Sequence, residues 1–110
     1  MEGLVKGDVV VTPFPFSDLS QAKRRPAFVI APLVGNDVML CQITSQSVRD
    51  QYAIAVTSAD FETGRLSQAS NARPNRVFTA DSTLILYRAG HLKAQKIMAI
   101  TEKLVEIVRS

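Results

Sequence analysis

The hydrophobic period of this chain changes once, and late. Ile97, Ile100, Leu104 and Ile107/Val108 recur at three- and four-residue spacings, with Lys96, Glu102, Lys103 and Glu106 between them. One apolar stripe at that period is the mark of an amphipathic helix, which it predicts over residues 93–109. Everything before it reads as short strands. Residues 9–16 make a first strand, β-branched at Val9-Val10-Val11 and punctuated by Pro13 and Pro15. Residues 26–33 and 38–44 make a second and a third, joined through Gly35-Asn36-Asp37 as the clearest hairpin. Residues 52–57 make a fourth. Residues 75–79 and 84–87 make a short fifth and sixth, with Asp81-Ser82 as the corner. Between the fourth and fifth, residues 58–72 are polar and broken by Gly64, and predict a loop with one helical turn at 59–61. Short strands separated by turns and closed by one helix predict a mainly β fold, a small SH3-like β-barrel with a C-terminal amphipathic helix.

At 110 residues, 46% of them apolar, residues 1–110 are expected to form a single packed domain. The longest apolar runs, 27–31 and 84–87, are too short to cross a bilayer. The N-terminus, Met1-Glu2-Gly3, carries no basic stretch ahead of an apolar one, so no signal peptide is expected. The one cysteine, Cys41, sits in an apolar run without a disulfide or ligand partner, and reads as core in a reducing cytoplasm. With one histidine, His91, beside it, neither a metal nor a cofactor is expected. The formal charge of +3 is a mild pointer to a polyanion. Its placement says more, because Lys23-Arg24-Arg25 form one basic turn and Arg73 with Arg76 a second. If both turns reach one face, the local potential there far exceeds the net charge.

Four segments in order carry a likeness: Lys6-Gly7-Asp8-Val9-Val10, Pro13-Phe14-Pro15-Phe16-Ser17-Asp18-Leu19, Lys23-Arg24-Arg25-Pro26-Ala27-Phe28-Val29-Ile30, and Ile43-Thr44-Ser45. Together they resemble the N-terminal half of a MazF/PemK-type toxin. The second half is similar more loosely, through Leu66, Ser70, the Arg73 turn, Thr79-Ala80-Asp81, Gly90-His91-Leu92 and the terminal helix. The resemblance implies an SH3-like barrel, a homodimer, sequence-selective cleavage of single-stranded RNA, and neutralisation by a small cognate antitoxin. It also implies catalytic roles for Arg25, in Arg-Pro-hydrophobic, and Thr44, in Ile-Thr-Ser. A gyrase-directed toxin like CcdB, or a barrel that binds RNA without cutting it, are the alternatives.

RNA supplies its own nucleophile, the 2′-hydroxyl beside the scissile phosphate. The protein must align it and stabilise a more negative phosphorane. A guanidinium fork suits that charge at any working pH, and a hydroxyl at position 44 can donate to the same phosphate. Lys23, Arg24, Ser45 and Arg73 are the expected RNA contacts, with Asn75, an amide where some relatives carry an acid. Unpaired bases stack on aromatic faces, for which Phe16 is the first candidate and Phe61 the second. Each residue also has an ordinary reading. Arg25 can close a strand-edge ion pair with Asp18, and Thr44 can be a plain β-former. Lys23 and Arg24 can be solvated charges, and Arg73 a surface or dimer pair. Asp8 reads as a strand-entry residue, His91 as a surface or interface residue, and Phe14 and Phe28 as core.

Overall fold

A computed structural model describes Met1, residues 3–14 and residues 23–110, with the backbone alone at Phe14 and Lys23. In chain order it has β1 (Asp8–Phe14), β2 (Lys23–Pro32), β3 (Asp37–Thr44), β4 (Ile54–Val56), β5 (Phe61–Gly64), β6 (Ser70–Asp81), β7 (Tyr87–Leu92) and α1 (Ala94–Arg109). Short 3-10 turns occupy Ser58–Asp60 and Ser82–Leu84. These seven strands form one antiparallel sheet in the order β4-β6-β3-β2-β1-β7-β5, curled into a half-barrel with α1 following at the C-terminal end. That is the mainly β architecture expected from the periods.

Each face of the sheet buries its own apolar set, as alternation along a strand requires. Val9, Phe28, Cys41, Ile43, Ala72 and Leu92 lie on one face, where Ile100 of α1 packs onto them. Val10, Ala27, Val29, Val38, Leu40 and Ile85 lie on the other. Fully burying one such Val, Leu, Ile or Phe side chain contributes about 1.5–3 kcal/mol, so the two sets hold the curl from both sides. Phe28 and Cys41 are core as expected, and burial pushes the Cys41 thiol up to about 12, which keeps it protonated and inert.

The sequence expectation departs from the structure in the second half. Residues 58–72 are not a plain loop. They hold β5 and the first residues of β6, and the helical turn lies at Ser58–Asp60, where the Asp60 carboxylate accepts from the Thr57 amide and hydroxyl. The short fifth strand is the far half of a long one. β6 runs through Pro74 because its ladder with β3 jumps from Cys41–Val77 to Gln42–Arg73, so residues 74–76 bulge outside the pairing. A proline has no amide to give a ladder, and a bulge is where a strand can hold one. The sixth strand comes later than residues 84–87, since Asp81 caps Thr83 and turns the chain through Ser82–Leu84 before β7 begins. The fourth is trimmed to Ile54–Val56, because the Asp50 carboxylate takes the Tyr52 and Ala53 amides into a turn.

Candidate functional site

The β2–β3 hairpin sets the site. Its ladder pairs Val29 with Leu40 and Ala27 with Gln42. Arg25 lies two residues past Ala27 and Thr44 two residues past Gln42, so alternation along each strand keeps both on the face that this last pair shares. Neighbouring ladders extend that row, with Thr12 opposite Arg25 on β1 and Asn71 opposite Thr44 on β6. A polar row therefore crosses four strands just beyond the apolar set of the same face. The next residue along each strand contributes to a second row on the opposite face, through Tyr87, Val11, Pro26 and, by the same alternation, Ile43.

Both rows meet at a cleft of about 610 Å³, lined where β2 and β3 run on past their last paired residues. Arg24, Arg25, Thr44 and Ser45 all line it, so four of the sequence-predicted residues converge. Four arginines line the cleft, Arg24, Arg25, Arg65 and Arg88, and no described aspartate or glutamate does. Arg88 is held by the buried Asp8 at 3.2 Å, while Arg24, Arg25 and Arg65 make no ion pair with any described residue. The cleft thus concentrates cationic charge that, at Arg24, Arg25 and Arg65, no described carboxylate offsets, the electrostatic condition for a polyanionic ligand.

Thr44 is 6% exposed, and its Oγ1 accepts a hydrogen bond from the Gln46 amide at 3.2 Å. A hydroxyl has one proton to donate and two lone pairs. The Gln46 amide fixes the oxygen through a lone pair, and no described residue takes the proton. It is left to donate. Arg25 beside it is half-buried, which strengthens its field relative to a fully solvated cation.

Other expected residues fall elsewhere. Arg73 and Asn75 do not line the cleft. Arg73 lies opposite Gln42, on the Arg25–Thr44 face, but its guanidinium is paired with Asp50 at 2.9 Å, and the Asn75 amide reaches the same carboxylate at 3.5 Å. Burial works to raise the Asp50 carboxyl, yet the Arg73 hydrogen bond and the Tyr52 and Ala53 amides hold it below its ordinary value. Phe61 is no stacking platform; it is buried in the core among Val9, Phe28 and Leu92. His91 Nδ1 pairs with the Asp8 carboxylate (Oδ1, 2.8 Å), away from the cleft lining, and Asp8 is a buried strand-entry residue that accepts from the Val5 amide. Phe16 and Asp18 lie outside the described residues, as does the side chain of Lys23, whose backbone opens β2. Among the described residues no cluster of three or more His, Cys, Asp or Glu could hold a metal ion, and no helix is long and apolar enough to cross a membrane.

Sequence reasoning missed Arg65, Gln68, Tyr87 and Arg88. The available signal was glycine. Gly64 has φ +71°, and a Cβ there would sit 2.1 Å from the Ala89 carbonyl oxygen; one on Gly90 would sit 2.3 Å from that of Thr63. The two glycines let β5 and β7 approach closely, and Arg65 then donates its amide to Ala89 at 3.2 Å.

Residues 5–108 match the family model described as PemK-like, MazF-like toxin of type II toxin-antitoxin system. No curated protein matches the chain. Among solved structures, it is similar to an endoribonuclease in complex with its cognate antitoxin from a Mycobacterial species, with a TM-score of 0.77 at 11% identity over 97% of this chain and 96% of that one. MazF (Form-I) from Deinococcus radiodurans gives 0.75 at 18% identity over 97% of each chain. MazE-MazF (Form-III) from the same organism gives 0.77 at 16% over 96% of each.

Proposed function

The chain belongs to the PemK-like, MazF-like toxin family of type II toxin-antitoxin systems, and on that premise we propose that it is an endoribonuclease cutting single-stranded RNA without a metal. The observation that carries the reading is the convergence of Arg25 and a proton-donating Thr44 in one cationic cleft free of described carboxylates. In the reaction the RNA 2′-oxygen attacks the adjacent phosphorus and the 5′-oxygen leaves. Negative charge on the non-bridging oxygens peaks in between. The Arg25 fork meets two of those oxygens, and the Thr44 hydroxyl donates to the same phosphate. A single well-placed donor at such an anion lowers the barrier by about 3–4 kcal/mol. Arg24 and Ser45, at the same strand ends, hold the neighbouring backbone.

The mycobacterial relative is an endoribonuclease seen with its cognate antitoxin, and a Deinococcus relative pairs MazF with MazE. By the same reading this toxin works on RNA in the cytoplasm and is neutralised by a cognate antitoxin. It acts as a homodimer, for which half-exposed Leu84, Leu86 and Val77 supply apolar surface. Purified protein with a mixed-sequence RNA and excess EDTA is expected to produce cleavage products, and Arg25→Ala is expected to lose them. RNA left whole by the wild type removes the reading. Salt-sensitive binding without products then leaves an RNA-binding barrel, and inhibited supercoiling with intact RNA leaves a gyrase-directed toxin.

A further inference from the structure

One wall of the cleft has no part in that chemistry. It is built by Arg65, which follows β5, and by Tyr87 at the start of β7. Tyr87 is 50% exposed, the only large aromatic side chain of the described cleft lining. Its row runs across Val11 of β1 to Pro26 of β2, so an apolar floor links it to the strand that bears Arg25. Two strand spacings separate β7 from β2, about 10 Å, a short step along an extended single strand. Arg65 is fixed beside this floor. Its amide is bonded to Ala89, two residues from Tyr87, and its guanidinium meets no described carboxylate.

A flat aromatic face, an apolar floor and a guanidinium that no described carboxylate pairs match one ligand chemistry: a planar base joined to a phosphate. We infer that Tyr87 and Arg65 form a nucleotide subsite, in which Tyr87 stacks an unpaired base and Arg65 contacts the phosphate next to it. The inference rests on the nuclease reading above and places a second anchor for the strand away from the scissile bond. Stacking is tolerant of base identity, since every base has a π-face, so this subsite grips the strand more than it reads it.

The test separates the two contacts. Binding is measured by fluorescence anisotropy with a short mixed-sequence 2′-O-methyl RNA, which cannot supply the nucleophile, and with an abasic sugar–phosphate polymer of equal length. Wild type is expected to prefer the base-bearing probe. Tyr87→Ala weakens binding to that probe about tenfold and loses the preference, whereas Tyr87→Phe keeps both. Arg65→Gln weakens both probes alike and lowers the dependence of log affinity on log salt by about 0.7. Thermal melts of each variant check that the fold is intact. Tyr87→Ala binding like wild type, or a wild type indifferent to the bases, overturns the subsite. If wild type still cuts RNA in that case, the nuclease reading stands alone. A wild type that neither binds nor cuts removes both.

Discussion

Replacing Thr44 by valine separates what this residue does for the fold from what it does for the reaction. The two side chains have nearly the same shape, so the buried site stays filled and only the hydroxyl goes. For stability, the loss is the 3.2 Å hydrogen bond from the Gln46 amide. Such a bond is worth about 0.5–1.5 kcal/mol net, and Gln46 is exposed, so water replaces the acceptor. A loss of about 1 kcal/mol lowers Tm by roughly 4–6 °C in a chain of this size, which leaves the protein folded under assay conditions. For catalysis, in the proposed reaction, the loss is a proton donor to a phosphate that gains charge in the transition state. That is worth about 3–4 kcal/mol, or a rate roughly 100- to 1000-fold lower. The catalytic effect thus exceeds the folding effect about three- to fourfold in free energy. Single-turnover cleavage in EDTA and a thermal melt on the same preparations measure both. Thr44→Ser, which restores the hydroxyl, is expected within about tenfold of wild type. Thr44→Val cutting at the wild-type rate with its melting shift present refutes the reasoning, because the hydroxyl would then serve the fold alone.

Two further outcomes follow from the packing. The Asp50 carboxyl is held below its ordinary value in the fold, so its stabilising contribution is present above the unfolded-state pKa and lost as pH falls through the folded one. The Tm gap between wild type and Asp50→Asn is therefore expected to hold from neutrality to about pH 5 and to close below it; an equal gap in strong acid contradicts the pairing with Arg73. Gly64→Ala and Gly35→Ala both force alanine into a positive φ, costing about 1–2 kcal/mol each, but a Cβ on Gly35 meets nothing within 4 Å while one on Gly64 strikes the Ala89 carbonyl. Chemical denaturation is expected to show the larger loss at Gly64, accompanied by weakened RNA binding as Arg65 shifts; equal losses at both sites tell against close β5–β7 packing as the device that sets Arg65.

What the sequence disclosed and what it hid divide along a physical line. The helix and the β2–β3 hairpin were legible because each is specified locally, by a period or by the Gly35-Asn36-Asp37 turn. Once that hairpin is in register, Arg25 and Thr44 share a face, so the placement of the candidate pair came with it. Strand β5 was not legible and β7 was placed too early, because their pairing is set between Gly64 and Gly90, and a glycine in a polar stretch reads first as a turn. Long β6 was hidden by Pro74, which ordinarily argues against a central strand. Only the bulge opposite Cys41 and Gln42 makes room for it, and a bulge belongs to two strands at once.

The two basic turns show why charge along a chain is a poor map of charge in space. Arg25 and Arg73 do arrive on one face, as the clustering allowed, Arg73 opposite Gln42 and Arg25 two residues past Ala27, which also pairs with Gln42. Their fields differ because of an acid neither turn contains: Asp50, 23 positions from Arg73 in sequence, neutralises it at 2.9 Å. The charge that replaces it in the cleft comes from Arg65, which belongs to no basic run and is delivered there by a left-handed glycine. A polyanion approaching the cleft meets Arg24, Arg25 and Arg65, which no described carboxylate pairs. That selection is made by β-pairing between distant segments, so it settles which cations can act on a phosphate only after the sheet has closed around them.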